Sequence, residues 1–107
     1  MLAEFSIWPL DHPHMSKDVA AVAEILDQVG ANYKINPMST TVEGEWQEVI
    51  DAIHACHQAL RHCHTRVLTT ITIDDDATRP LNMEEATAKV QARQQESSER
   101  EAVAPRG

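Results

Sequence analysis

The chain is poor in basic residues, and this shortage limits the partners that it can have. Nine Lys and Arg residues stand against 17 Asp and Glu residues, so the formal net charge is -8 over 107 residues. A nucleic-acid-binding protein needs a Lys/Arg-rich face to replace the counterions on phosphates, and we therefore expect no nucleic-acid partner. An acidic surface serves solubility in most proteins, but it also favours small cationic ligands.

Long apolar runs are also missing. No stretch of 18 apolar residues is present, so we expect no membrane-spanning helix and no membrane partner. Residues 1–5 lack the basic region of a signal peptide, and Glu4 interrupts them. These absences predict a cytoplasmic protein whose two cysteines, Cys56 and Cys63, stay reduced.

The apolar content predicts one folded domain followed by a tail. Aromatic residues make up only 4% of the chain, but apolar residues make up 42%, which is enough to build a core. The length fits a single domain, which we place at residues 1–90. From residue 91 to residue 107 the composition becomes polar, which predicts a disordered C-terminal tail.

Four segments have the composition and alternation of β-strands. Residues 3–10 alternate between two faces, and residues 66–74 form the clearest strand because apolar and β-branched residues follow the same period. Two shorter strands are predicted around residues 33–35 and at residues 39–43, with Pro37 between them.

Two long helices and one short helix lie between and after these strands. The first long helix is predicted from an N-cap at Ser16 to a stop at Gly30, and the second begins near Gly44. Asn82 and Glu85 resemble a capping box for a short terminal helix. The predicted core stripe of the first long helix is Val19, Val22, Ala23, Leu26 and Val29, and that of the second is Trp46, Val49, Ile50, Ile53, His57 and Leu60.

The order β-α-β-β-α-β predicts an α+β fold of the ferredoxin-like type. In that fold a four-stranded antiparallel sheet carries both long helices on one face, and here a C-terminal helix follows. The other sheet face would stay open. It suits a subunit interface or a ligand platform, and an ordinary solvated face fits the same pattern. The residues predicted on this open face are Ser6, Trp8, Thr41, Leu68, Thr70 and Thr72.

Three segments of the chain together resemble a known protein family. They are MLAEFSIWPL at residues 1–10, NPMSTTVEGEW at residues 36–46 and RVLTTITIDD at residues 66–75. Their order and spacing resemble the thiamine-binding protein family over roughly residues 2–90. The most specific motif has the form PM-x-T-x-x-EG and consists of Pro37, Met38, Thr40, Glu43 and Gly44.

The resemblance implies a ferredoxin-like, non-enzymatic protein that forms homodimers or homotetramers through its sheets. It also implies that the chain binds thiamine or the hydroxymethylpyrimidine half of thiamine, without a catalytic cofactor. Thr72 and Asp76 depart from the family, which usually has basic residues at these two positions. Because two cations are lost, phosphorylated thiamine is disfavoured and the unphosphorylated cation is expected.

Thiamine combines a charged thiazolium ring, an aminopyrimidine ring and a hydroxyl group, and the resemblance points to side chains for each. Trp8 could contact the thiazolium through a cation–π interaction. Glu43 or Asp74 could accept from the amine or balance the charge. Alternatively, Glu43 could cap the second helix and Asp74 could simply begin a turn. Hydroxyl groups along the pyrimidine edge are expected from Ser39, Thr40, Thr41 and Thr70.

The predicted topology separates these residues. Trp8, at the end of the first strand, should lie near Ser39, whereas Glu43 and Asp74 should lie together at the opposite end of the sheet. The strand rise places Trp8 and Glu43 about 10 to 15 Å apart within one subunit. We therefore predict a ligand site at or near a dimer interface. The alternative is an oligomerisation or interaction module that binds no small molecule.

Six histidines and two cysteines raise the question of a metal site or a nucleophile. His57 lies on the predicted core stripe of the second helix, but His54 and Cys56 point about 60 and 100 degrees away from it. The chain has no CxxC or HExxH motif, and none of its three glycines forms a phosphate-binding loop. We expect neither a metal site nor enzymatic activity, and we interpret His62 and His64 as partners of the helix dipole.

Overall fold

A computed structural model describes residues 1–11, 15–85 and 90–94 of the chain. In chain order the elements are β1 (Leu2–Pro9), α1 (Met15–Gln28), β2 (Asn32–Ile35), β3 (Thr40–Glu43), α2 (Trp46–Cys63) and β4 (Val67–Asp74). Residues 83–85 and 90–94 are also helical. The predicted tail starts at residue 91, but residues 91–94 continue as helix, and residues 95–107 lie outside the described residues.

The four strands form one antiparallel sheet in the order β2-β3-β1-β4. Strand β1 is central: it pairs along its whole length with β4, from Leu2 opposite Asp74 to Pro9 opposite Val67. On its other side β1 pairs with the shorter β3, where Phe5 lies opposite Thr40. The predicted ferredoxin-like α+β fold is therefore confirmed.

The core lies between the two helices and one face of the sheet. It consists of Ala3, Phe5, Val22, Leu26, Val42, Val49, Ala52, Ile53, Cys56 and Leu60. These residues recur at helical spacing on α1 and α2 and at every second position on β1, as a two-layer arrangement requires. The largest side chains that are fully shielded from solvent include Phe5, Leu26 and Leu60.

The buried stripe of α2 is rotated from the predicted one. Trp46 is 54% exposed and Ile50 is half-buried, whereas Ala52 and Cys56 are buried. Sequence reasoning gave weight to large apolar side chains, but small side chains allow a helix to approach the sheet closely. Burial also raises the pKa of the Cys56 thiol to about 11, so this cysteine behaves as a packed apolar residue.

Helix α1 shows smaller departures from its predicted boundaries. It begins at Met15, so Ser16 lies inside the first turn rather than at the N-cap. Of its predicted stripe, Val19 and Val29 are exposed, because they lie at the two ends of the packed surface. The predicted stop is confirmed: Gly30 has a φ of 72°, and the Ala31 N–H donates to the Leu26 carbonyl at 3.0 Å.

One part of the helix-side sheet face is left uncovered. Ile71 and Ile73 lie on this face because they stand opposite Phe5 and Ala3, yet they are 43% and 37% exposed. Both belong to β4, which is an edge strand. In the parts of the chain described here, no helix combines the length and the apolar character that a membrane crossing requires.

Candidate functional site

A cleft opens at the end of β1 where the chain enters β3. It lies between α1, the second half of β1 and the β2–β3 connection, residues 36–39, and has a volume of about 80 Å³. The connection is held in place by two hydrogen bonds. The Ser6 hydroxyl donates to the Met38 carbonyl at 3.0 Å, and the Asn36 N–H donates to the Ser39 carbonyl at 2.8 Å. Its predominantly apolar wall suits an aromatic or heteroaromatic ring.

Three of the predicted ligand-binding residues line this cleft: Trp8, Ser39 and Thr40. Trp8 is 38% exposed and stands opposite Leu68 in the β1–β4 pair. Thr40 is only 8% exposed. Trp8, Ser39 and Thr40 therefore contribute to the lining of one small cavity.

Glu43 and Asp74 lie at the opposite end of the sheet, as the topology predicts. Both stand opposite Leu2, one in β3 and the other in β4. Leu2 and Trp8 are six positions apart, which corresponds to about 20 Å along the strand. This separation exceeds the predicted 10 to 15 Å, so one small ligand in one subunit does not reach both ends.

Both carboxylate oxygens of Glu43 have partners within the chain. The Asn32 side-chain amide donates to one of them, and the Met83 N–H donates to the other at 2.7 Å. Glu43 thus binds the start of the helical segment at residues 83–85. The alternative that Glu43 caps α2 is wrong, because the N-cap of α2 is Glu45, which makes no side-chain capping bond.

Thr41 and Thr70 lie on the open sheet face between these two ends. Thr41 stands opposite Glu4, and Thr70 stands opposite Ser6. The Thr41 hydroxyl accepts a hydrogen bond from the Asn36 side-chain amide at 2.9 Å, which links the open face to the connection that forms the cleft. The seven predicted residues are therefore spread along the sheet, and only three of them meet.

A histidine between two aspartates adjoins the cleft through Asp18, and the sequence patterns did not indicate this contact. The His64 Nε2 lies 2.9 Å from Asp18 Oδ1, and the His64 Nδ1 lies 2.9 Å from Asp11 Oδ1. The other Asp11 oxygen accepts from the Thr65 N–H at 2.7 Å. We call Asp11, Asp18 and His64 the carboxylate–histidine clasp. It joins the end of β1, helix α1 and the end of α2.

Hydrogen bonding explains the titration behaviour of the clasp. The hydrogen bond to Asp18 is the main cause of the raised pKa of His64, which acts against the effect of desolvation. The Thr65 N–H is the main cause of the lowered pKa of Asp11. Because both ring nitrogens face carboxylate oxygens, the imidazolium form satisfies both contacts. Above the lowered pKa of Asp11 and below the raised pKa of His64, these two members of the clasp carry opposite charges.

Asp18 also has one carboxylate oxygen that carries no hydrogen bond. Its Oδ2 is shielded from solvent and has no partner among the described residues, while the residue lines the cleft. The sequence showed Asp18 only as an acidic residue in the first turn of α1, and His64 only as a residue at the end of α2. The contact between them spans 46 residues, and no local pattern signals it.

The stability that His64 contributes is expected to disappear at alkaline pH. Since its pKa is raised in the folded protein above the ordinary 6.5, the contribution is complete below pH 6.5 and is lost as the pH rises through the raised value. The free energy of unfolding of the wild type should therefore exceed that of His64→Gln, and this difference should be largest near pH 6. Urea unfolding at several pH values measures this difference, and a difference that grows with pH would contradict the clasp.

The other histidines and the cysteines among the described residues are not grouped as metal ligands. Within residues 1–11, 15–85 and 90–94, no group of three or more His, Cys, Asp and Glu side chains is placed to hold an ion. His57 lies half-buried with its Nδ1 2.6 Å from the Thr69 hydroxyl on β4. Cys56 is buried in the core, and Cys63 is exposed.

Known proteins resemble this chain in sequence. Residues 3–91 match the sequence model of a family described as thiamine-binding protein. A UPF0045 protein of Methanothermobacter thermautotrophicus is 38% identical over 85 residues, which cover 74% of this chain and 86% of the relative. A UPF0045 protein of Synechocystis is 30% identical over 74 residues, which cover 68% of this chain and 61% of the relative.

Solved structures share the fold. The crystal structure of a hypothetical protein from Methanocaldococcus jannascii has a TM-score of 0.78 and 25% identity, covering 84% of this chain and 94% of that chain. A Thermotoga maritima protein named as a candidate for thiamine biosynthesis or salvage has a TM-score of 0.73 at 23% identity, covering 83% and 96%. Because the family match extends over most of the sequence, the chain belongs to the thiamine-binding protein family.

Proposed function

We propose that the protein binds thiamine or its hydroxymethylpyrimidine half, without chemical conversion, as a carrier, salvage or sensing protein. The observation that carries this proposal is the cleft at the end of β1. Its lining includes Trp8, Ser39, Thr40 and Asp18, and the chain belongs to the thiamine-binding protein family. These groups match a ligand with a cationic ring, a polar pyrimidine edge and a hydroxyl group.

The size of the cleft suits one ring of the ligand. A volume of about 80 Å³ holds roughly five to eight water-sized spheres, which matches a single six-membered ring with small substituents. Pockets that enclose a whole drug-sized ligand have volumes of about 300 to 1,000 Å³. We therefore propose that one ring of thiamine enters the cleft and that the other rests at its mouth against Trp8.

The charge of the cleft supports an unphosphorylated ligand. Its described lining includes Asp18 but no Lys or Arg, and the whole chain carries a net charge of -8. A phosphate group would need cationic or backbone N–H partners. Asp76, which stands where the family usually has a basic residue, lies 3.8 Å from Arg79 and accepts from the Thr78 hydroxyl and N–H.

A second subunit would complete the site at the mouth of the cleft. Trp8, Leu68 and Met38 are 38%, 53% and 76% exposed, and Trp8 and Leu68 are neighbours on the open sheet face. We propose that this face packs against a second copy in a homodimer or homotetramer. Such packing covers Leu68 and leaves the Trp8 ring free to face the ligand, and Thr41, Thr70 or Asp74 of the second copy would then contact the exposed part of the ligand.

The open-face interface has a direct test in the assembly state. Leu68→Glu would bury a charge in the interface, so the variant is expected to run as a single chain in light scattering whereas the wild type runs as a dimer or tetramer. Val29→Glu is the matched control, because Val29 is 52% exposed at the end of α1 and should leave assembly unchanged. A monomeric wild type, or an assembled Leu68→Glu variant, would contradict the interface.

The binding function is tested by isothermal titration of the purified protein with thiamine, hydroxymethylpyrimidine and thiamine phosphate in parallel. We expect micromolar affinity, about -8 kcal/mol, for the two unphosphorylated ligands and weaker binding of the phosphate. Equal or tighter binding of thiamine phosphate would overturn the charge argument. An absence of heat with all three at millimolar concentration would overturn the proposed function.

The second candidate is an interaction module that binds no small ligand. The exposed apolar side chains around Trp8 favour it, because such a group of side chains on a sheet face also suits protein association alone. The two functions differ in what Trp8 contributes. A ligand site loses affinity but keeps its assembly when Trp8 is truncated, whereas a pure interface loses its assembly.

A further inference from the structure

We propose that the outer edge of β4 pairs with the β4 strand of a second copy of this chain, so that two four-stranded sheets join into one continuous sheet. The two β4 strands run antiparallel about a two-fold axis at Thr70. This interface is separate from the open-face packing proposed above, and it needs neither the cleft nor a ligand. An edge contact together with a face contact closes at four chains, so the assembly becomes a homotetramer.

The first argument is the row of backbone groups along the outer edge of β4. The Leu10 N–H donates to the Arg66 carbonyl at 3.0 Å, and these two residues continue the register of the β1–β4 pair. Because hydrogen-bonded and non-hydrogen-bonded pairs alternate in an antiparallel ladder, Arg66 and every second residue after it point their backbone groups at β1. Within the described residues no strand pairs with the other side of β4. The residues that point their N–H and carbonyl groups to that side are Val67, Thr69, Ile71 and Ile73.

The second argument is the contrast between the two edges of the sheet. Proteins protect a sheet edge by keeping the strand short or by placing Lys or Pro there. Strand β2, at one edge, has four residues, includes Lys34 and is followed closely by Pro37. Strand β4, at the other edge, has eight residues, contains no Lys or Pro, and carries its only charge at its last residue, Asp74. The β4 edge is thus open to pairing with another strand, whereas the β2 edge is protected.

The third argument is the apolar surface beside this edge. Ile71 and Ile73 lie on the sheet face that carries the core, yet they are 43% and 37% exposed. In pairing about Thr70, Ile71 stands opposite Thr69 of the second copy. Ile73 then stands opposite Val67 of that copy. Because opposite side chains in such a ladder lie about 4.5 to 5.5 Å apart, the second copy covers the part of the core face that the chain itself leaves uncovered.

The charges at the two ends of β4 select the register. Hydrogen bonding requires that outward-pointing residues stand opposite each other, and these alternate along the strand, so the axis lies on a residue and not between two. With the axis at Thr70, the exposed Arg66 stands opposite the exposed Asp74 of the second copy, and this ion pair occurs twice. With the axis at Ile71, Asp74 instead stands opposite Leu68. Opposite charges across a strand pair stabilise it, which favours the first register.

Leu68 belongs to both proposed interfaces. It lies on the open sheet face opposite Trp8. In the edge pair it stands opposite Thr72 and diagonal to Asp74 of the second copy. A glutamate at this position therefore opposes the edge pair by like-charge repulsion and the face contact by burial of a charge, which agrees with the single chain expected of Leu68→Glu. A variant that affects the edge alone has to change the outward-pointing backbone groups.

Ile71→Pro in the full chain tests the edge pair, with the mass of the assembly measured by light scattering. Proline removes an N–H that points outward and leaves the hydrogen bonds between β4 and β1 in place, so the variant is expected to keep its sheet. The wild type is expected to run as four chains and Ile71→Pro as two. Ile35→Pro is the matched control and is expected to run as four. Ile35 is 39% exposed on the other edge strand, and the Asn36 N–H bond to the Ser39 carbonyl implies that the Ile35 N–H also points outward.

The masses of these three proteins decide between the outcomes. Loss of half the mass in Ile71→Pro, with Ile35→Pro unchanged, supports the edge pair. An Ile71→Pro assembly with the mass of the wild type overturns it, and so does a wild type that runs as a single chain. Thiamine binding by a protein that lacks the edge pair leaves the proposed function standing, because the cleft does not include this edge.

A second experiment tests the register without altering the backbone. Arg66→Asp places two carboxylates opposite each other and Asp74→Arg places two guanidinium groups opposite each other, so each single variant is expected to lose the edge pair. The double variant restores opposite charges and is expected to recover the mass of the wild type. Within one chain the two residues are eight positions apart, about 26 Å along the strand, so this recovery requires a contact between chains. Single variants that keep the wild-type mass, or a double variant no larger than the single variants, would overturn pairing about Thr70.

Discussion

Trp8→Ala is expected to weaken thiamine binding by about tenfold or more while leaving the assembly intact. A cation–π contact contributes about 0.5 to 2 kcal/mol, and the ring also covers apolar surface of the ligand. A loss of about 1.4 kcal/mol corresponds to a factor of ten in affinity. Trp8 is 38% exposed and lies outside the buried core, so its truncation removes little from the core.

Two further variants and a light-scattering measurement serve as controls for Trp8→Ala. Trp8→Phe keeps an aromatic face and should retain part of the affinity. Trp46→Ala removes the other tryptophan, which is 54% exposed at the start of α2, and should bind as the wild type does. Light scattering on the same samples reports the assembly. If Trp8→Ala dissociates the oligomer, and neither the wild type nor any variant binds thiamine, the protein is an interaction module and not a thiamine carrier.

Phe5→Ala is expected to lower the free energy of unfolding by about 3 to 5 kcal/mol. Phe5 is 2% exposed on the central strand, so its removal leaves a cavity between the sheet and both helices. A domain of this size has about 5 to 15 kcal/mol of stability in total, and the variant should therefore be partly unfolded at moderate temperature. Urea unfolding with circular dichroism measures the change.

Ile71→Ala provides the matched control for Phe5→Ala. Ile71 stands opposite Phe5 on the same face of the sheet, but it is 43% exposed on the edge strand. Its truncation is expected to cost about 1 kcal/mol, since its contacts are incomplete. Equal costs for the two variants would contradict the placement of the core.

Much of the fold follows from local sequence patterns. The alternation in β1 and β4 gives the correct faces, because a strand has a period of two and a core needs one apolar face. The end of α1 at Gly30 is predicted correctly, because the left-handed backbone there requires glycine. The N-cap predicted at Ser16 is wrong, because the helix already begins at Met15. The stripe of α2 was misplaced because Ala52 and Cys56 are small, and burial of small side chains depends on the approach of other elements.

The candidate site was only partly predictable. Trp8, Ser39 and Thr40 lie in segments that resemble the family, and the strand order explains why they meet. Asp18 and His64 meet only after α1 and α2 pack on the same sheet face, and neither residue has a local signal for that contact. Contacts of this kind depend on tertiary packing, which a pattern within one segment does not contain.

The central claim, a thiamine site at Trp8, has its most direct test in tryptophan fluorescence. The chain has two tryptophans, so Trp46→Phe leaves Trp8 as the sole reporter, and Trp8→Phe leaves Trp46. When thiamine is added to Trp46→Phe, the fluorescence of Trp8 is expected to fall along a saturable curve whose midpoint equals the calorimetric affinity. In Trp8→Phe, the fluorescence of Trp46 should show no saturable change. Saturable quenching only in Trp8→Phe, or in neither protein, would contradict a ligand site at the end of β1.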